Sequence, residues 1–344
     1  MAIPVQNIYY LLCYAWDEFS PREIVSTAAE DFPDTLHLFS HLLVLGVRNL
    51  YRRGLEAGYK TTHEPTSTVR GRILMTETIL LLATRPSKLA CAFDEMTSDI
   101  PTNQILKATL KRLSGEKQLG SGLRGEVRQT LSLLGGIRDV NLSDRLFHEI
   151  HLHQNNRMYS FLMTVCRFLY ESTEAQEQQG QYKFRDVCKD QRRMRKIFEK
   201  FVRNFYIRRQ SVFKVKSDGM KWTATARPGS DLVFLPQMRT DATLRAPHRT
   251  IVIECKYTDK LFQRWFSSDK FRSGHLYQLS TYLRNMEGST APDNAAEGIL
   301  LYPTVSGLHL DQSYNLQGHL VRIRTLNLNQ AWQSIEHELL ALVG

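Results

Sequence analysis

Two carboxylates and a lysine lie at positions from which they could act on one chemical group. Asp241 comes before a turn at residues 246–248, and Glu254 and Lys256 end the β-rich stretch that follows this turn. Side chains of a strand alternate between its faces, so Glu254 and Lys256 share one face and Cys255 points to the opposite, apolar face. Charged side chains inside an apolar strand are costly to bury unless they have a function. We therefore expect Asp241, Glu254 and Lys256 to converge.

These residue types suit a magnesium ion that promotes hydrolysis of a phosphate ester. Mg²⁺ prefers oxygen ligands and takes only one or two carboxylates, because it keeps several waters. Asp241 and Glu254 would hold the ion, and the backbone carbonyl of Cys255 could add a ligand. Lys256 would reach a water or a phosphate at the ion and help to activate the water. The alternative is a buried ion pair with Asp241 in a turn, because this pattern is short and common.

A helix before these strands could add a third carboxylate. Residues 194–206 have the apolar spacing of a helix, and Glu199 lies at the edge of the apolar stripe. From there it could point at the metal and assist it or act as a base. The alternative is an exposed glutamate that pairs with Arg203, one helical turn away.

A second helix follows the strands. Residues 274–283 have helical spacing, and Gln278 and Tyr282 face the same way because they are one turn apart. Gln278 could bind a phosphate or the attacking water, and Tyr282 would support Gln278. The alternatives are a surface glutamine and a tyrosine that belongs to the core.

The order of these elements, with a glutamate helix, an Asp strand, a Glu-x-Lys strand and a Gln-x-x-x-Tyr helix, resembles the PD-(D/E)XK nuclease superfamily. The proline that precedes the first acid in that superfamily is absent, and Thr240 stands in its place. The resemblance implies a metal-dependent DNA endonuclease with a restriction-endonuclease-like α/β core. The residues that match the motif are Glu199, Asp241, Glu254, Lys256, Gln278 and Tyr282.

Several further stretches are similar to the McrC family, the nuclease subunits of the modified-cytosine-dependent McrBC restriction systems. The opening stretch is the most specific of them. This resemblance implies a partner, a hexameric AAA+ GTPase of the McrB type that recognises modified DNA, translocates, and hydrolyses GTP faster when McrC is present. The similar stretches are residues 3–16, 70–73, 103–107, 300–303 and 326–332.

Composition agrees with a polyanionic partner such as double-stranded DNA. The 344 residues carry a net charge of +10, and the basic excess is concentrated in residues 183–284, which include the whole predicted site. The five cysteines are scattered and lack CxxC spacing, which argues against structural zinc and a disulfide framework. We find no signal peptide, membrane span or nucleotide-binding motif in the sequence. We therefore expect a cytoplasmic protein that meets no membrane and binds no nucleotide itself.

The length predicts two domains, and strands bracketed by helices indicate an α+β or α/β fold. Residues 1–155 would form a mixed domain that engages the partner, and residues 156–344 would form the nuclease core. Stimulation of GTP hydrolysis requires a polar or cationic group at the nucleotide. Arg70 and Arg72 flank Gly71 on what we expect to be a projecting loop, and they are the candidates. The alternative is that both arginines only flank a turn.

The segment between the Glu-x-Lys strand and the Gln278 helix should pass beside the site. We expect its basic residues to contact DNA phosphates, with a solvated loop as the alternative. These residues are Lys260, Arg264, Lys270 and Arg272.

Two rival functions remain open from the sequence. The chain could be chiefly an adaptor that activates the GTPase and has a degenerate nuclease core, although the intact acids and lysine argue against degeneracy. It could also be a structure-specific nuclease that works alone, such as a resolvase or repair enzyme. The long N-terminal region exceeds what a solitary nuclease core requires.

Overall fold

A computed structural model gives the fold of most of the chain. The described residues are 3–17, 32–85, 87–150, 156–175, 182–184, 190–258, 261–265, 268–287 and 291–344. They divide into two compact units, one within residues 36–184 and one formed by the N-terminal helix together with the chain after residue 184. This differs from the division expected from the sequence, 1–155 and 156–344, because the helix that follows residue 156 lies in the first unit and the N-terminal helix in the second.

The packing of the N-terminal helix explains its place in the second unit. This helix, α1, covers Val5–Trp16, and a long helix of the second unit, α8, covers Gln191–Arg209. The ring of Tyr14 lies 5.4 Å from Phe205 and 5.8 Å from Phe201 of α8, measured between centroids. Apolar periodicity indicates that α1 has a buried face, but it does not indicate which distant element covers that face.

The first unit combines helices with small antiparallel sheets. Its three-stranded sheet has the order β1-β3-β2, and β1 pairs with β3 along its whole length. The helices are α2 (Thr35–Arg53), α3 (Met75–Leu82), α4 (Pro101–Ser114), α5 (Ser121–Ser132), α6 (Asp144–His148) and α7 (Arg157–Glu171). The strands are β1 (Gly58–Thr66), β2 (Arg72–Ile73), β3 (Leu89–Thr97), β4 (Thr173–Ala175) and β5 (Tyr182–Phe184).

The second unit is built on a six-stranded mixed sheet in the order β14-β15-β13-β10-β9-β6. The strands β10 and β15 run parallel to β13, and the other neighbours are antiparallel. The strands of the unit are β6 (Lys214–Lys216), β7 (Gly219–Met220), β8 (Met238–Arg239), β9 (Ala242–Ala246), β10 (Arg249–Cys255), β11 (Phe262–Trp265), β12 (Ser268–Phe271), β13 (Glu297–Thr304), β14 (Asp311–Leu316) and β15 (His319–Asn327). Besides α1 and α8, its helices are α9 (Ser273–Met286), α10 (Ala291–Asn294) and α11 (Trp332–Ala341). No helix within the described ranges is long and apolar enough to cross a membrane.

The two faces of this sheet are covered by different helices. Ile251, Ile253 and Cys255 of β10 lie in the apolar cluster that contains α1, α8 and α11. Val252 lies in a second cluster with Leu279 of α9. Alternate residues of β10 therefore serve opposite faces, as the period of a strand requires. The mixed fold and the α/β core that we predicted are confirmed by this arrangement.

Helix α9 lies close against the sheet because one position of β13 has no side chain. A Cβ atom added to Gly298 would meet Leu279 Cδ2 and Leu283 Cδ1 at 2.9 Å. Only glycine allows this approach without movement of the leucines. The close approach of α9 to the sheet matters for the site, because it brings Gln278 of α9 within reach of Lys256 at the end of β10.

Candidate active site

The two predicted carboxylates lie opposite each other at one end of a hairpin. In the antiparallel pair of β9 and β10, Ala242 is opposite Ile253, so Asp241 just before β9 comes opposite Glu254. The Asp241 Oδ2 atom accepts a hydrogen bond of 2.8 Å from the backbone N–H of Cys255. The register of the hairpin and this bond together fix the Asp241 carboxylate beside the end of β10.

A chain of hydrogen bonds connects the second carboxylate to helix α9. Lys256 Nζ donates to Glu254 Oε1 at 2.7 Å and to Gln278 Oε1 at 2.7 Å. The Gln278 Nε2 atom donates to the Tyr282 hydroxyl at 2.7 Å, and this hydroxyl donates to the Arg239 carbonyl at 3.0 Å. Four of the predicted site residues thus form one connected network that spans β10, α9 and β8.

The Glu254 carboxylate is buried and only half satisfied. Its residue is 2% exposed, and its Oε2 atom has no hydrogen-bond partner among the described residues. Burial and the neighbouring Asp241 charge raise the pKa of Glu254 to about 7, although Lys256 opposes the shift. Burial also raises the pKa of Asp241, against the effect of the Cys255 N–H. A buried carboxylate oxygen without a partner is costly, so it indicates a missing positive ligand.

Glu199 belongs to the same cluster of charges. It lies on α8, half-buried, and burial followed by the Asp241 charge raises its pKa to about 7. The alternative that we considered was a pair with Arg203. In the structure Arg203 Nη1 donates to the backbone carbonyl of Asp241 at 3.0 Å, so it helps to hold the first acid.

Two further residues near the cluster were not identified from the sequence. Arg195 is exposed on α8, and its charge lowers the pKa of both Asp241 and His275. His275 on α9 shares a hydrogen bond of 2.9 Å with the Tyr302 hydroxyl. Burial, then the charges of Lys256, Arg272 and Arg195, lower the pKa of His275 to about 4. Helical spacing could have found both, since Arg195 is four residues before Glu199 and His275 three before Gln278.

Two of the four predicted DNA contacts lie on a hairpin. Strands β11 and β12 pair antiparallel, and the rings of Phe262 and Phe271 stack with centroids 5.3 Å apart. Arg264 lies on β11, Lys270 is exposed on β12, and Arg272 directly precedes α9. Lys260 lies outside the described residues. Arg272 is close enough to His275 for its charge to lower the pKa of that histidine.

The two arginines predicted to act on a GTPase lie in the first unit. Gly71 has a φ of +67°, and a Cβ there would lie 2.3 Å from the Ala92 carbonyl oxygen, so the turn requires glycine. Both arginines are exposed, Arg72 on β2, and the guanidinium of Arg70 stacks 4.1 Å above the ring of Phe93. The two side chains therefore differ in that Arg70 is engaged with an aromatic ring.

Comparison with known proteins identifies the family of the chain. A family model described as McrBC 5-methylcytosine restriction system component matches residues 6–303. The chain belongs to this family. The type IV methyl-directed restriction enzyme EcoKMcrBC of Escherichia coli (strain K12) is 32% identical over 342 residues, which are 98% of this chain and 96% of that protein. The resemblance to McrC that the sequence motifs suggested is thereby confirmed.

A solved structure shares the fold of the McrBC family member described here. It is a chain in the refined half-complex from the tetradecameric assembly of Thermococcus gammatolerans McrB AAA+ hexamers with bound McrC. The match covers 99% of this chain and 76% of the other, with a TM-score of 0.65 and 15% sequence identity. At this identity the likeness concerns the fold.

The acid cluster of this McrBC family member fits a magnesium ion. The described residues contain no group of three or more His, Cys, Asp and Glu side chains arranged to hold a metal. Mg²⁺ does not need such a group, because one or two carboxylates and several waters are its usual ligands. The Oε2 atom of buried Glu254, which has no hydrogen-bond partner among the described residues, and the carboxylate of Asp241 on the neighbouring strand supply the oxygen ligands that this ion prefers.

Proposed function

We propose that this chain is the Mg²⁺-dependent endonuclease subunit of a GTP-driven restriction complex that cleaves DNA containing methylcytosine. The observation that carries the proposal is the pair of Asp241 and Glu254 at the end of β10, with Lys256 bonded between Glu254 and Gln278. Membership of the McrBC family gives the restriction context. The basic character of the chain supports DNA as the substrate.

Each acidic residue has a role in this proposal. Asp241 and Glu254 would hold Mg²⁺ together with the Cys255 backbone carbonyl, and Glu199 would assist from α8. The bound ion would supply a Lewis acid that stabilises charge on the phosphate and makes water a better nucleophile. Burial, followed by the charge of Asp241, raises the pKa values of Glu254 and Glu199 to about 7. A bound dication would return them to their charged forms.

Lys256 acts beside the ion. An ammonium group has three N–H donors, and two of those of Lys256 are directed at Glu254 and Gln278. The third can donate to the attacking water or to a phosphate oxygen. Gln278 is bonded to Lys256 and to Tyr282, so these contacts favour a positioning role. Its second amide N–H can still contact a phosphate, as we predicted from the sequence.

We propose further that the first unit engages a hexameric AAA+ GTPase of the McrB type. The solved relative of this fold comes from an assembly of McrB AAA+ hexamers with bound McrC, which supports such a partner here. Both arginines are exposed, and Arg72 would offer a cation to the nucleotide site of the ring, because the guanidinium of Arg70 is stacked on Phe93. Arg70 would act mainly through its contact with Phe93.

A reconstitution experiment tests the proposed function against its rivals. Modified and unmodified plasmid are incubated with the chain and Mg²⁺, with and without an McrB-type partner and GTP. We expect cleavage only of modified plasmid and only with partner and GTP. Cleavage without the partner would favour the solitary nuclease. Stimulated GTP hydrolysis without cleavage under any condition would favour the adaptor with a degenerate core.

The same reconstitution tests the two arginines. GTP turnover by the partner is measured with the native chain and with Arg70→Ala and Arg72→Ala in the full chain. We expect Arg72→Ala to lose most of the stimulation and Arg70→Ala to lose less. Normal stimulation by both variants would remove these residues as candidates and leave the assignment of the first unit intact.

A further inference from the structure

An exposed apolar turn lies between β7 and β8 of the second unit. Four consecutive side chains point into solvent there, with exposed fractions of 47% for Leu232, 74% for Val233, 85% for Phe234 and 42% for Leu235. A single exposed apolar residue is ordinary, but a contiguous group of large ones marks a contact surface. The active site described above does not use these residues.

The turn is held in place by specific hydrogen bonds. Asp231 Oδ1 accepts from the N–H of Val233 at 2.9 Å and so caps the short 3₁₀ helix Leu232–Phe234. At the base of the segment, Trp222 Nε1 donates to the Pro236 carbonyl at 2.6 Å. The apolar side chains are therefore presented by a built structure.

The base of the segment is tied to the helix that carries Gln278 and Tyr282. The N–H of Thr223 donates to Asn285 Oδ1 on α9 at 3.0 Å. At the other side, the Arg239 carbonyl accepts from the Tyr282 hydroxyl at 3.0 Å, and this hydroxyl also accepts from Gln278. The position of the apolar turn is thus fixed relative to the hydrogen-bond network of the site.

The distance along the chain limits how far the turn can lie from the acids. Phe234 and Asp241 are seven residues apart. An extended chain spans at most about 3.6 Å per residue, so the two lie within roughly 25 Å of each other. One turn of duplex DNA is about 34 Å long. A duplex with a phosphate at Asp241 can therefore meet Phe234 within the same helical turn.

The charge around the turn favours DNA over a second copy of this chain. The region around the turn, residues 214–239, contains two acidic residues. Asp218 is paired with Arg245, and Asp231 caps the turn. Two copies that met through this region would bring like charges together, whereas the phosphates of a duplex would neutralise them. The basic residues of the region are Lys214, Lys216, Lys221, Arg227 and Arg239, all of which are exposed.

We propose that Val233 and Phe234 form an apolar wedge that enters the minor groove of double-stranded DNA and unstacks a base step beside the cleavage site. The inference rests on the proposed function, because it assumes that DNA lies across the acid cluster. Apolar side chains that enter the minor groove partly unstack the bases and kink the duplex. A kink at this place would hold the scissile strand against Asp241 and Glu254.

The test measures DNA distortion without cleavage. A short duplex carries several 2-aminopurines, whose fluorescence rises on unstacking, and dyes at both ends report bending. The full chain is added without Mg²⁺, as the native protein, as Val233→Ser/Phe234→Ser and as Phe234→Leu. The matched control is Val212→Ser, because Val212 is 70% exposed in the same unit.

We expect the native chain, Phe234→Leu and Val212→Ser to unstack and bend the duplex. The double serine variant should do neither and should bind roughly tenfold more weakly, with an unchanged salt dependence, because no cation is lost. Unstacking and affinity at native levels in the double variant would overturn the wedge, as would failure of the native chain to bind duplex. Self-association is measured by sedimentation velocity. If the native chain self-associates and the double variant does not, and the double variant still bends DNA, the turn is a contact between copies of the chain.

Failure of the wedge is distinguishable from failure of the proposed function. Asp241→Ala should unstack and bend the duplex as the native chain does, because the acid is not part of the turn. Distortion of DNA without Mg²⁺-dependent cleavage under any condition would retain the wedge and reject the nuclease. Cleavage by a chain that never distorts DNA would reject the wedge and retain the nuclease.

Discussion

Lys256 donates to the side-chain oxygen of Gln278 at 2.7 Å, although one residue follows a strand and the other lies in the middle of a helix. The same ammonium also donates to Glu254, so it is held from two sides. A lysine has a flexible four-carbon chain, and two fixed acceptors greatly reduce its freedom. Gln278 is therefore expected to contribute to catalysis by positioning Lys256.

Replacement of Gln278 tests this positioning. Gln278→Ala should slow cleavage by roughly tenfold, or about 1.4 kcal/mol, because Lys256 loses one of its two acceptors but keeps its charge. Tyr282→Phe, which removes the hydroxyl that accepts from Gln278, should have a smaller effect. Single-turnover cleavage rates with the partner and GTP measure both. An equal loss in Gln278→Ala and Asp241→Ala would mean that Gln278 acts on the phosphate directly.

Glu199 is expected to be an assisting ligand. Glu199→Gln should slow cleavage less than Asp241→Ala does, because the primary carboxylates remain in place. Raised Mg²⁺ should restore part of the rate if the variant only weakens binding of the ion. Cleavage rates across a Mg²⁺ titration distinguish the two effects. A Glu199→Gln variant as slow as Asp241→Ala at every Mg²⁺ concentration would make Glu199 a primary ligand.

The burial of Glu254 and its repulsion by Asp241 should be visible in stability without metal. The pKa of Glu254 is raised to about 7 in the folded chain, above its unfolded value, so the folded state binds more protons between these values. The metal-free native chain should therefore lose stability as the pH rises from about 4.5 through about 7. Asp241→Asn removes one of the charges and should reduce this loss.

Urea denaturation in the presence of a chelator, at pH 5.5 and pH 8, measures the effect. The midpoint of Asp241→Asn should fall less than that of the native chain between the two pH values. Mg²⁺ should raise the native midpoint at pH 8 and leave that of the variant less changed. An identical pH dependence of both proteins would show that Asp241 and Glu254 do not interact.

His275 should remain neutral well below the ordinary pKa of histidine. Burial and the surrounding cations lower its pKa to about 4, so its folded pKa lies below the unfolded value of about 6.5. It therefore contributes stability above pH 6.5 that is lost as the pH falls towards 4. Carbon-labelled histidine NMR, with His275→Gln used for assignment, measures the titration. A midpoint near 6.5 would contradict the placement of Lys256, Arg272 and Arg195 around the ring.

The cations of the β11–β12 region are expected to contact phosphates. Lys270→Ala with Arg272→Ala should reduce the salt dependence of DNA binding by up to roughly one unit of slope per lost contact. The control is Lys117→Ala, which removes an exposed charge from the first unit. Duplex affinity is measured across a series of salt concentrations. An unchanged slope in the double variant would return these residues to the role of solvated surface charges.

The hairpin of the site was predictable because its signals are local. The period of two in β10 and the turn at residues 246–248 set the register that brings Asp241 opposite Glu254. The contact of Lys256 with Gln278 depends on how deeply α9 lies on the sheet, which Gly298 permits from another strand. Such a contact follows from tertiary packing, and no local pattern encodes it.

The unit boundary depends on contacts between distant parts of the chain. The sequence predicts a division at residue 155, whereas α1 packs on α8, far along the chain. Arg195 was within reach of sequence reasoning, because it lies one helical turn before Glu199.

The most direct test of the nuclease assignment is cleavage by variants of the acid–lysine cluster. Methylcytosine-containing plasmid is incubated with Mg²⁺, the McrB-type partner and GTP, and with the native chain, Asp241→Ala or Lys256→Ala. We expect both variants to cleave at least roughly a hundredfold more slowly, a loss of about 3 kcal/mol, while DNA binding and GTP stimulation stay near native levels. Cleavage at the native rate by either variant would contradict the assignment.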